Sequence, residues 1–249
     1  MQKIALVTGA TSGIGWATAL SLANSGYDLI ICGRRKERLD ELSAKVSVKT
    51  HHLVFDVRVR DEVVKAIDSI PAKWNKIDVL INNAGNAHGL SKIQDGNIDD
   101  WDAMIDINVK GLLYVTKAIV PGMIERGAGH VVNVGSIAGK EVYPNGNVYC
   151  ASKHAVDAIN NGMRLDLLGT GVKVSQVCPG LVETEFSLVR FKGDESRAES
   201  VYQGFDPLTA ADIADLIQFI VTRPPHVNIA DTLILPTAQV ASTMVHKKL

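Results

Sequence analysis

The chain has 249 residues, of which 46% are apolar and 21% charged. That balance fits a folded α/β domain and excludes a mainly disordered chain. Lys and Arg number 26 against 27 Asp and Glu, a net charge of −1, and aromatic residues make up 5%. This leaves neither the basic excess nor the stacking surface expected of a nucleic-acid binder, and no basic run for a membrane surface. No apolar run approaches the roughly 18 residues that a bilayer-crossing helix needs. The opening MQKIALVTGA carries no secretory h-region. The expectation is a cytoplasmic protein with no membrane or nucleic-acid partner. Cys32, Cys150 and Cys178 sit in apolar stretches and read as buried, reduced thiols, not as a disulfide framework.

In chain order, apolar β-branched runs at 4–8, 28–33, 52–57, 79–83, 130–134, 172–177 and 232–235 predict strands buried on both faces. Mixed-polarity stretches at 13–25, 35–45, 60–73, 99–126, 149–168 and 209–222 predict helices. The alternation implies βαβ units with right-handed crossovers. The predicted fold is a Rossmann-type, doubly wound, seven-stranded parallel sheet with helices on both faces, in a single domain over residues 1–249. The charged, irregular stretch at about 183–207 is expected to be a substrate loop or a plain surface excursion.

The first strand runs into TGATSGIG. Gly9, Gly13 and Gly15 lie between a strand and a helix, where glycines allow a tight turn and a close approach of backbone N–H groups to a pyrophosphate. The helix start then faces the phosphate charge. The end of the second strand places a carboxylate in NAD-binding folds of this type. Here Gly33, Arg34 and Arg35 stand there instead. Two guanidiniums welcome a ribose 2′-phosphate, and Thr11 and Ser12 can add donors, so NADP(H) is the predicted cofactor.

YCASK places Tyr149 and Lys153 four residues apart on one helix face. A nearby ammonium stabilises phenolate, so Tyr149 is expected to have a lowered pKa and to serve in proton transfer. Ser136 ends the apolar strand HVVNVGS, where side chains at the carboxyl ends of parallel strands meet a ligand crevice. It can orient a reacting oxygen or cap a turn. The adjacent His51 and His52 point to opposite faces of a strand, which predicts no metal site there. His88 reads as a loop histidine near the site or on the surface.

Taken together, TGATSGIG, NNAG at 82–85, Asn108 in DINVKG, Ser136, YCASK and the PG of Pro179–Gly180 resemble the classical short-chain dehydrogenases/reductases over essentially the whole chain. The resemblance implies that Tyr149 is the general acid/base and that Lys153 tunes it and holds the nicotinamide ribose. It implies that Ser136 positions the reacting oxygen and that Asn108 holds a water linking Lys153 to solvent. Cofactor contacts are implied for Gly9, Thr11, Ser12, Gly13, Ile14, Gly15, Arg34, Arg35, Asp56, Val57, Asn83, Ala84, Gly85, Tyr149, Lys153, Pro179, Gly180, Val182 and Thr184. The segments around PGLVETEFSLVRFKGD, SIAGKEVYPNGNVYCASKHAV and DTLILPTAQVAS resemble the NADP-dependent serine, L-allo-threonine and 3-hydroxy acid dehydrogenases. That implies a homotetramer acting on a small 3-hydroxy acid or the matching 3-oxo acid or semialdehyde. Arg190 and Lys192 are candidate partners for a substrate carboxylate; a solvated loop face is the other reading. Two alternatives stay open: a reductase of uncharged ketones or 3-oxoacyl substrates, and a non-catalytic NADP sensor.

Overall fold

The structure, a computed structural model, describes residues 2–248. Branched apolar side chains pack well on a pleated surface. The first six predicted runs form strands β1 (Ile4–Thr8), β2 (Asp28–Gly33), β3 (Thr50–Val54), β4 (Ile77–Asn82), β5 (Gly129–Val134) and β6 (Val172–Pro179). A short parallel pair, β7 (Val182–Glu183) and β8 (Leu208–Thr209), follows before the seventh run forms β9 (Asp231–Ile234) and completes the main sheet. That sheet has seven parallel strands in the order β3-β2-β1-β4-β5-β6-β9. The winding reverses between β1 and β4, which opens a crevice at the carboxyl ends of the strands.

Alternate residues of each strand feed two separate cores. On one face Val7, Ile31, Ile81 and Val177 pack against Leu22 of α1 (Gly13–Asn24), Leu39 of α2 (Lys36–Ala44) and Ile213 and Ile217 near the chain end. On the other, Leu6, Ile30, Leu80 and Val131 meet Val63 of α3 (Arg60–Asp68) and residues 115–123. Burying one such side chain contributes about 1.5–3 kcal/mol, so both faces are needed to hold the sheet. Cys32, Cys150 and Cys178 are buried free thiols, as expected.

Three predicted boundaries shift, each for a local reason. The third strand begins earlier and ends at Val54, so Phe55, Asp56 and Val57 leave the ladder and reach the crevice. The helix predicted over 60–73 stops at Asp68, because Pro71 disfavours helical backbone just before it. The helix predicted over 99–126 is α4 (Ile98–Ile105), a wide π-turn over Asp106–Gly111, and α5 (Leu112–Glu125). The chain then forms α6 (Asn147–Asp166), two short helices α7 (Phe186–Arg190) and α8 (Glu195–Ser200), and α9 (Ala210–Val221). Thr209 and Asp212 cap α9 reciprocally, which fixes its start. No helix among the described residues is long and apolar enough to cross a membrane.

His51 stacks on Trp74 with centroids 5.7 Å apart, while His52 faces Asp40 at 3.0 Å. The two rings do point apart. A third histidine, His130, is 3% exposed at the opposite end of the sheet from the crevice, with Nε2 2.8 Å from Ser175 Oγ. Burial pushes its pKa down to about 3, and the charge of Lys173 adds to the shift. A neutral buried imidazole stabilises the fold above the unfolded pKa near 6.5, and that stability is lost as pH falls towards 3. Between those values the loss is about 1.4 kcal/mol per pH unit. His130→Gln is therefore expected to flatten the acid limb of stability against pH, measured by urea unfolding between pH 6 and 4.5; an unchanged slope would refute it.

Candidate active site

The carboxyl ends of the strands surround a cavity of about 550 Å³. Its walls include the glycine turn after β1, the start of α2, the NNAG turn after β4, the end of β5, the first turn of α6 and the segment from Pro179 to Tyr202. Of the predicted cofactor residues, Gly9, Thr11, Ser12, Gly13, Ile14, Arg34, Arg35, Asp56, Val57, Asn83, Ala84, Gly85, Tyr149, Lys153, Pro179, Gly180, Val182 and Thr184 all line it. Gly15 lies one step behind, buried in the first turn of α1.

The glycine turn suits a pyrophosphate. Gly9 has φ +66°, and a Cβ there would stand 2.9 Å from Asn83 Nδ2 and 3.0 Å from Ala84 Cα. Ser12 precedes α1 without making a side-chain cap, and the first turn holds no acidic residue. Its N–H groups remain available to an anion, and the helix dipole favours one. Asn83 Nδ2 donates to the Thr8 carbonyl at 2.9 Å, and its backbone N–H donates to Thr8 Oγ1 at 3.0 Å, which locks the NNAG turn to β1.

Around the end of β2 the surface is cationic. Arg35 Nη2 donates to Thr11 O and Oγ1, both at 3.2 Å, and also to Glu185 Oε2 at 3.2 Å. Arg34 is more exposed, with Nη1 3.7 Å from Asp56. Burial acts on the Asp56 carboxyl to raise its pKa, but the Arg58 hydrogen bonds and the Arg58 and Arg34 charges outweigh it and hold the group below its usual value. The residues present fit a 2′-phosphate: two guanidiniums and no carboxylate at the carboxyl end of β2, where Gly33 stands.

At the centre, Tyr149 is 8% exposed and Lys153 7%. Lys153 Nζ donates to Val134 O at 3.0 Å, and burial pushes its pKa down to about 8. Asn108 lies in the π-turn, a widened helix geometry frequent at functional sites. Its Nδ2 donates to Asn86 O at 2.8 Å and to Ser152 Oγ at 3.0 Å, and its Oδ1 accepts from Asn86 N at 2.9 Å. Gly85 lies between Asn108 and Lys153: a Cβ there would stand 2.8 Å from Asn108 Oδ1 and 3.7 Å from Lys153 Nζ. Ser136 does two things. Its Oγ accepts from Ala138 N at 3.1 Å as a turn cap, and it also lines the cavity.

One expectation is corrected. The Tyr149 phenol has a raised pKa, not a lowered one. Burial is the main cause and the Tyr143 phenol adds to it; the Ser136 hydroxyl and the Arg190 charge pull the other way. Burial holds the ring as the protonated phenol. The two candidate substrate cations also part company. Arg190 lines the cavity, with Nη2 donating to Tyr143 Oη at 2.9 Å and its guanidinium 5.5 Å from the Tyr149 ring centre. Lys192 does not line it and pairs with Asp100 at 2.9 Å. His88 borders a small neighbouring cleft, where burial lowers its pKa. Asn86, Tyr143, Phe186, Tyr202, Gln239 and Ser242 also line the cavity and carry no sequence motif that marks them. Among the described residues no cluster of His, Cys, Asp and Glu fits a metal ion.

A model of the short chain dehydrogenase family matches residues 3–194, and the chain belongs to that family. Among its relatives, the sulfoacetaldehyde reductase 2 of Chromohalobacter salexigens is 46% identical over 242 residues, 96% of each chain. The NADP-dependent 3-hydroxy acid dehydrogenase of Escherichia coli strain K12 is 43% identical over 247 residues, 98% of this chain and 100% of that one. A closed form of serine dehydrogenase complexed with NADP+ superposes with a TM-score of 0.94 at 43% identity, covering 98% of this chain and 100% of the other.

The turn at Gly9 yields a sharp expectation. Gly9→Ala combines a left-handed φ with a clash against the NNAG turn, so it should destabilise the fold by about 1–3 kcal/mol. Denaturant unfolding of the variant measures this; a change below about 0.5 kcal/mol would mean the turn relaxes freely.

Proposed function

We propose that this protein is an NADP-dependent dehydrogenase/reductase that interconverts small 3-hydroxy acids with the matching 3-oxo acids or semialdehydes. The observation that carries the substrate class is Arg190, a guanidinium set into the cavity wall over the ring of Tyr149. It offers a planar, charged fork to an anion at one end of a substrate whose oxygen lies at Tyr149. Support for the cofactor comes from Arg34 and Arg35 at the end of β2 and from the relatives named above. The chain acts as one catalytic domain over 1–249, with residues at about 183–207 as its substrate loop.

Bound NADP(H) supplies the hydride chemistry. The protein's own residues do the rest. Ser136 and Tyr149 hydrogen-bond the reacting oxygen. In reduction Tyr149 gives its proton to that oxygen; in oxidation it takes the alcohol proton. A phenol held protonated by burial suits the first role directly. For the second, the Lys153 ammonium must stabilise phenolate. Because the Lys153 pKa stands near 8, that help is present below pH 8 and fades above it. Asn108, anchored at both amide atoms, holds the π-turn against Asn86 and Ser152, where a water joining Lys153 to solvent can sit.

A second reading is favoured by the C. salexigens relative: a sulfonate-bearing aldehyde as substrate, with Arg190 facing the sulfonate. We also place the enzyme in the cytoplasm as a homotetramer. Three buried free thiols suit a reducing compartment. Leu113 and Ile124 on α5, Leu165 on α6 and Leu233 on β9 expose apolar surface that subunit contacts would cover.

Tyr149→Phe should keep NADPH binding, followed by fluorescence, and lose about 10²- to 10⁴-fold in kcat; near-normal turnover would remove Tyr149 from the role. On a panel of L-serine, L-allo-threonine, 3-hydroxypropionate, sulfoacetaldehyde and uncharged secondary alcohols, the anionic substrates should turn over with NADP(H). Arg190→Gln should then raise KM for them by about 10- to 100-fold, the worth of a charge-assisted hydrogen bond. Turnover of uncharged alcohols alone would overturn the substrate class, and bound NADPH with no turnover at all would favour a sensor.

A further inference from the structure

We propose that Lys140 is a positioning residue for the reaction: its ammonium clamps the turn that carries Ser136 onto helix α6 and strand β9. The proposal rests on the reading of Ser136 and Tyr149 as the pair that binds the reacting oxygen.

The turn itself has little freedom. Gly139 N donates to Ser136 O at 2.9 Å, and Lys140 N and Glu141 N both donate to Ile137 O at 2.9 Å. What the backbone bonds do not fix is how this turn sits against α6, the helix that carries Tyr149 and Lys153. Two contacts set that. The turn lies directly on the helix backbone, since a Cβ on Gly139 would stand 2.6 Å from Lys153 O. Lys140 Nζ then reaches over to Asp157 on α6 and to Asp231 Oδ2 at the start of β9, the latter at 2.5 Å. Asp157 is one helical turn beyond Lys153, on the same stripe of α6.

One ammonium thus joins three elements: the end of β5, α6 and β9. Isolated surface pairs contribute little, but this is one cation shared by two carboxylates, with the lysine and Asp157 side chains only 27% and 25% exposed. Without Lys140 the two carboxylates face each other with no cation between them, and their repulsion pushes α6 and β9 apart next to the Ser136 turn. Cys178 Sγ, 3.6 Å from Asp231 Oδ1 and buried, offers no replacement cation. Glu141 extends the tie: its carboxylate accepts from Ser242 N at 2.7 Å, and Ser242 lines the cavity. Lys140 itself does not line it, so it acts through Ser136.

The test uses full-length K140M and K140R, alone and with Ser136→Ala. A misplacement of about 1 Å at a reacting group can cost on the order of 10²-fold. In K140M, kcat should fall about tenfold or more while KM for NADPH stays within about twofold, and K140R should recover most of the loss. With Ser136 already removed there is no hydroxyl left to position, so K140M should cost less than about twofold more in the Ser136→Ala background. An equal loss in both backgrounds, or a kcat in K140M within about twofold of the unmodified enzyme, would overturn the proposal. If K140M does not fold, D157N and D231N, which each cut one arm of the clamp, must show the same dependence on Ser136. Tyr149→Phe run alongside separates the two claims: if it retains turnover, the reading of the site fails, whereas additive Lys140 effects with Tyr149→Phe inactive defeat only the clamp.

Discussion

A lysine ammonium taken out of water has to find acceptors, and the site is organised around where Lys153 finds one. Its Nζ reaches the carbonyl of Val134, the last residue of β5. That bond ties α6 to the centre of the sheet, and the same helix turn carries Tyr149 four residues earlier. Ser136 follows Val134 by two residues. A single buried cation therefore sets the helix that bears the phenol against the strand that delivers the hydroxyl. It also explains why two positions around it have no side chain: Gly85 and Gly139 each let a neighbouring chain approach where a Cβ would collide. Burial costs the ammonium part of its proton affinity, which brings Lys153 near 8 and makes it responsive within the range where enzymes work.

The sheet was legible in the sequence because it is buried on both faces. Such strands read as unbroken apolar runs, and all seven runs became strands of one parallel sheet. The catalytic candidates were legible because each sits at a strand end or on one helix face, where spacing translates directly into direction. The π-turn at Asn108 was not, since periodicity sees a continuous helix from α4 to α5 and one extra residue per turn leaves no mark on the pattern. Nor was the sharing of labour between Arg190 and Lys192. They are two residues apart and both cationic. Only the packing of the 184–192 segment sends one to Tyr143 and the other to Asp100.

Long-range closure was the least legible part. Gln239 and Ser242 stand 58 and 101 residues beyond the residues they bond. Gln239 Oε1 accepts from Leu181 N at 2.9 Å, and Ser242 N donates to Glu141. A contact of this kind is a product of β9 returning to pair with β6. It depends on topology, and no local residue preference encodes it. The same holds for the reach of Glu185 to Arg35, which joins the 183–207 segment to the cationic end of β2.

The raised phenol of Tyr149 and the lowered ammonium of Lys153 follow from one cause. Burial disfavours whichever form is charged, so it raises an acid and lowers a base together. The pair is thereby drawn towards its neutral forms, phenol and amine. In the proposed reading, ribose acceptors beside Lys153 would favour its ammonium and so pull against the raised phenol, while burial keeps on Tyr149 the proton that reduction needs.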